Sequence, residues 1–102
     1  LLAALALPVV AEGTWVEVTR KRRTRWFVDA QSLVRNGDFA YFNWSMVLLN
    51  ENGIEEERAG DDAVGKQVNC KDKTIFNQVD DRWEAYDNRW STKAAGEFAC
   101  RQ

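Results

Sequence analysis

DFAYFNWSMVLL, from Asp38 to Leu49, is the stretch whose reading decides the fold. With a period of two, one face carries Ala40, Phe42, Trp44, Met46 and Leu48. The other carries Phe39, Tyr41, Asn43, Ser45, Val47 and Leu49, apolar at its ends and polar in the middle. A helix would scatter Phe42, Trp44 and Met46 around its circumference, whereas a strand sets them in one row. The run therefore reads as a long strand with one face on a core, central in a small antiparallel sheet.

Upstream, TWVEVT at 14–19 alternates and reads as a first strand, and RWFVDA at 25–30 as a second. RKRRTR at 20–25 joins them, which puts this basic run at the exposed tip of a hairpin. Gln31 to Val34 is expected to make one helical turn, and Asn36-Gly37 a tight turn into the long strand. Downstream, Asn52-Gly53 signals another turn, and ENGIEEERAGDD at 51–62 reads as a solvated acidic loop, a short strand around Ile54 being the alternative within it. Strand character resumes over Lys66 to Asn77, with Val68, Cys70 and Ile75 facing inward, and Asp80-Asp81 ends it. Phe76, Val79, Trp83, Tyr86 and Trp90 are spaced like a helix face. Asp87-Asn88 is a turn signal inside that segment, so a short strand or irregular piece carrying Trp83 and Tyr86 is preferred. A last short helix, from Lys93 to Cys100 with Ser91 or Thr92 as its cap, completes the chain. Gly96 weakens it.

With 102 residues there is room for a single domain, burying about 60 to 70% of its unfolded surface. Five Trp, five Phe and two Tyr supply the core, and in so small a domain they read as core rather than as the lining of a cavity. Leu1 to Ala11, LLAALALPVVA, is uncharged and closes on small residues, the pattern of the tail of a secretory signal peptide. Cleavage after Ala11 would leave 12–102 as the mature domain. Eleven residues fall short of the about 20 that span a bilayer, so no transmembrane segment is expected.

Two cysteines in a small exported domain point to a disulfide between Cys70 and Cys100, closing a loop of about 31 residues. Free thiols or a metal site are the alternatives, but two cysteines without histidine do not complete a zinc site. The absence of histidine also removes the commonest general base. There is no nucleophile elbow and no phosphate-binding glycine loop. Asp61-Asp62 and Asp80-Asp81 sit in polar stretches where carboxylates stay ionised. No enzyme activity, cofactor or metal is expected. The acidic run lacks the ligand spacing of a calcium loop and is read as solvated, and the sequon Asn43-Trp44-Ser45 falls inside the central strand and is read as chance.

Arg20, Lys21, Arg22, Arg23 and Arg25 form the one stretch that looks like a binding surface. Clustered guanidiniums attract carboxylate, sulfate and phosphate groups, which fits an anionic glycan, lipopolysaccharide or an acidic protein. A solvated tip paired with the acidic loop is the plainer reading. A net charge of −2 and the lack of an aromatic platform beside the basic run argue against nucleic acid.

Trp15, the run Trp26-Phe27-Val28-Asp29 followed by Ser32-Leu33, the aromatic strand through Phe42 and Trp44, Val68-Asn69-Cys70 and the late Cys100 form a spaced pattern. That pattern resembles the surface-adhesin protein E family of small exported bacterial domains, over residues 14–100. The resemblance implies a curved antiparallel sheet with a small helical element, a Cys70–Cys100 disulfide and a host-binding role. The basic tip lies outside the shared pattern, so no binding residues carry over. The expectation is thus an α+β domain of four to six antiparallel strands with a short C-terminal helix, periplasmic or secreted. Its function is expected to be adhesion-like binding, with a periplasmic structural or protein-interaction module as the alternative.

Overall fold

The structure, a computed structural model, describes residues 14–102, with 55–64 described for their backbone alone. The expected signal-peptide remnant at 1–11 lies outside the described residues.

Six strands succeed one another: β1 Trp15–Lys21, β2 Thr24–Asn36, β3 Phe39–Leu49, β4 Glu55–Asn69, β5 Thr74–Asn77 and β6 Arg82–Ala85. Each runs antiparallel to its neighbour, and their order in the sheet is their order in sequence. One 3-10 turn, Tyr86–Asn88, leads into α1, Trp90–Cys100. The helix lies against β1, β2, β3 and β5. This is the α+β architecture expected, with the C-terminal helix on an antiparallel meander.

The periodicity of β3 explains the core. Ala40, Phe42 and Trp44 are buried and meet Val28, Val68, Ile75 and Tyr86, with Ala95 and Ala99 of α1 closing the layer. Each large apolar side chain buried in this way contributes roughly 1.5 to 3 kcal/mol. Beyond Trp44 the alternation changes. The register with β4 slips between Trp44 and Met46, and Ser45 and Val47 are buried while Met46 is only partly so.

Four segments depart from expectation. Gln31 to Val34 is not a helical turn but a bulged part of β2. The Ser32 hydroxyl donates to the Asp29 carbonyl at 2.8 Å and accepts from the Asn43 N–H at 2.8 Å, replacing ladder bonds that the bulge removes. The acid-rich segment is not a loop throughout: from Glu55 its backbone pairs with β3. Val47, Leu48 and Leu49 would otherwise present an unpaired edge, and that demand overrides a polar sequence. The helix starts at Trp90 rather than Lys93, so Ser91 and Thr92 lie within its first turn and Arg89 stands at the N-cap.

The strand expected over Lys66 to Asn77 is broken by a turn at 70–73 into the end of β4 and β5. This turn and the next share one device. Asn69 accepts from the N–H groups of Lys71 and Asp72, and Asn77 from those of Val79 and Asp80. Lys73 and Asp81 then take positive φ. An asparagine at the start of each turn thus replaces the missing ladder acceptor.

Cys70 and Cys100 are joined with Cα atoms 5.6 Å apart, and no free cysteine remains among the described residues. The bond ties the last turn of α1 to the β4–β5 turn. Arg35 fastens the same end, donating to the Cys100 and Gln102 carbonyls at 3.1 and 3.4 Å and to that of Gly37 at 3.0 Å. Such a cation satisfies carbonyls left over at a helix C-terminus.

Candidate anion-binding surface

The basic run sits where the sequence places it, on the β1–β2 hairpin, but its five cations are not equivalent. Glu17 pairs with Phe27 and Thr19 with Trp26, so Val18 is an extra residue in β1. That bulge brings Glu17 and Arg20 onto the same side of the strand, three residues apart. Arg20 donates to Glu17 through Nε at 3.0 Å and Nη2 at 3.3 Å. Arg25, from across the hairpin, donates to Glu17 Oε1 through Nε at 3.0 Å and Nη2 at 2.6 Å. Hydrogen bonds from Arg20 hold the Glu17 carboxyl below the usual range; partial burial opposes this, and Arg25 adds to the lowering. Arg25 also lies 5.0 Å over the ring of Phe27.

Lys21 extends over Trp90 at the start of α1, with Nζ 5.7 Å from the ring centroid. Trp90 in turn stands edge-on to Trp26, which lies 4.4 Å from Trp44. This row of rings connects the hairpin to the core.

Arg22 and Arg23 form the two-residue loop between the paired Lys21 and Thr24. Both are exposed, and neither makes an ion pair with a described side chain. They border a shallow hollow of about 250 Å³ with Thr24, Leu48 and Leu49. Arg22 has φ +56°, a left-handed conformation in which glycine is at home and other residues lose about 1 kcal/mol or more. The partner expected for the tip was the acidic segment at 55–62, whose side chains lie outside the description; the described counter-charge is Glu17.

A second cluster of charge had no local signal in the sequence. Lys66 on β4, Arg89 before α1, Glu84 on β6 and Asp80 in the β5–β6 turn line a cleft of about 320 Å³ floored by Trp44 and Ile75. Strand pairing in β4, β5 and β6 gathers Lys66, Asp80 and Glu84, and the packing of α1 on the sheet adds Arg89. Of the tryptophans expected in the core, Trp44 is buried, whereas Trp83 and Trp90 are 40% and 38% exposed. Trp83 packs instead against Phe39, tilted, and Phe76, edge-on, with centroids 6.0 and 5.4 Å apart.

Comparison of the chain with protein-family models, with curated proteins and with solved structures returned no match. Among the described residues, no helix is long and apolar enough to cross a membrane.

Proposed function

We propose that this chain is an exported, non-enzymatic binding domain of the surface-adhesin protein E type that recognises an anionic partner through its first hairpin. The observation that carries this reading is the loop Arg22-Arg23. Arg22 occupies a position with φ +56° that glycine would fill at lower cost, and both guanidiniums are exposed. Lys73 and Asp81 take the same left-handed conformation at their turns, so what sets Arg22 and Arg23 apart is that both stand exposed at the hairpin tip and neither is engaged by a described carboxylate. Arg20 and Arg25 are engaged by Glu17 and shape the hairpin, so contact with the partner falls to Arg22 and Arg23, with Lys21 beside them. Sulfate, phosphate or carboxylate groups on a glycan or lipopolysaccharide suit two adjacent guanidiniums. The disulfide suits an oxidising compartment, periplasmic or extracellular. The meander, the helix and the Cys70–Cys100 bond agree with what the family resemblance implies.

Heparin serves as the test probe. Replacing Arg22 and Arg23 together by Ser is expected to weaken heparin binding at least about tenfold, as loss of charge-assisted contacts does. Raising the salt should reduce the wild-type affinity and narrow that difference. Equal retention of both proteins would remove the hairpin from the function.

A protein-interaction role is the second reading, and the exposed Trp83 with Phe39 and Phe76 favours it. Recovery of one stoichiometric protein partner, lost on Trp83→Ala and indifferent to the arginine changes, would decide for it.

A further inference from the structure

The cleft between β4, the β5–β6 turn and the start of α1 is separate from the hairpin loop. We infer that it binds a small organic anion, a carboxylate or phosphate ester, between Lys66 and Arg89, with the apolar part of that molecule over Trp44, Ile75 and Val79.

Its volume of about 320 Å³ lies within the range of small-ligand pockets. Lys66 pairs with Phe42 in the β3–β4 ladder, which turns it to the helix side of the sheet. Its ammonium stands 5.1 Å over the ring of Trp44 and forms no ion pair with a described carboxylate. Half-buried, it has the Arg89 guanidinium as its strongest charged neighbour. Burial lowers its pKa most, Arg89 lowers it further, and Glu84 opposes both. Two cations and two carboxylates, Asp80 and Glu84, thus line one cleft, and neither cation forms an ion pair with a described carboxylate.

The acids of the cleft share a neutral partner. Asn77, which also lines the cleft, donates through Nδ2 to Glu84 at 3.2 Å and to Asp80 at 3.3 Å. The helix end adds to the positive side. Its N-cap, Arg89, makes no side-chain capping bond, and the first turn contains no acidic residue. Thr92, which also lines the cleft, directs its hydroxyl proton to the Tyr86 and Arg89 carbonyls. An anion seated between Lys66 and Arg89 would remove their mutual repulsion and meet the positive end of α1. On the side of Lys66, which is only partly exposed, such a contact is stronger than on open surface.

The test is a titration of the full chain with phenyl phosphate, followed by amide chemical shifts, with benzylamine as the cationic counterpart. Saturable shifts at Lys66, Ile75 and Thr92, weakened about tenfold by Lys66→Gln and by Arg89→Gln, are expected. The doubly substituted hairpin, with Ser at 22 and 23, should bind phenyl phosphate as the wild type does. Arg89 is exposed, so Arg89→Gln leaves folding intact even where Lys66→Gln disturbs packing on Trp44. No saturable shift at tens of millimolar, unchanged affinity in Arg89→Gln, loss of binding in the hairpin variant, or preference for benzylamine would each overturn the inference.

Discussion

Glu17 accepts hydrogen bonds from Arg20 and Arg25 at once, so one carboxylate sets how much of a five-cation hairpin remains open to a partner. Its pKa is lowered in the fold, chiefly by the hydrogen bonds from Arg20. A depressed acid stabilises the native state above the ordinary carboxylate pKa, and that contribution is lost as pH falls through the lowered value. The stability gap between wild type and Glu17→Gln should therefore be open at neutral pH and close in acid; urea titrations across the acid range measure it. A gap independent of pH would contradict the ion pairing. Arg22 offers a second check at the same scale. Glycine fits φ +56° without strain, so Arg22→Gly should leave stability unchanged or raise it by up to about 1 kcal/mol, while reducing heparin binding. Thermal melts check the first half of that statement and heparin retention the second.

At the scale of elements, the helix is held from both sides. Its Gly96 lies against the ring of Tyr86: a methyl group there would meet Cδ2, with Cε2 and Cγ at 2.7 and 2.8 Å. In an open helix Gly→Ala gains about 1 kcal/mol. Here overpacking against a buried ring should dominate, and Gly96→Ala should lose about 1 to 3 kcal/mol; denaturant unfolding measures it. The weakness that Gly96 brings to the helix is thus the condition for close contact with Tyr86. The disulfide and Arg35 fix the other end of α1. Replacing both cysteines by Ser should cost about 3 to 4 kcal/mol, by the chain-entropy argument for a loop of this length. Retained near-wild-type stability in the double variant would show that Arg35 and the apolar contacts suffice.

At the scale of the molecule, the chain combines a legible sheet with sites that are only partly legible. Ala40, Phe42 and Trp44 declare the core through a period of two, and the basic loop is visible as a run of charge. Asn36-Gly37 marks its turn because Gly37, at φ +64°, has the freedom that turn requires. What was hidden depends on partners distant in sequence. Ser32 sustains a bulge only because β3 lies beside it. The acid-rich start of β4 is a strand because β3 needs a neighbour. Glu17 reaches Arg20 through an extra residue in β1, which alternation does not anticipate. Lys66 and Arg89 meet only after α1 docks.

The claim that the hairpin binds anions is tested most directly by a gain, which misfolding does not mimic. Isothermal titration of heparin into wild type and Glu17→Gln compares a clamped hairpin with one in which the competing carboxylate is gone. Tighter binding by Glu17→Gln at low salt, with the advantage shrinking as salt rises, is the expected result. Equal or weaker binding by Glu17→Gln, with the fold intact by circular dichroism, would contradict it.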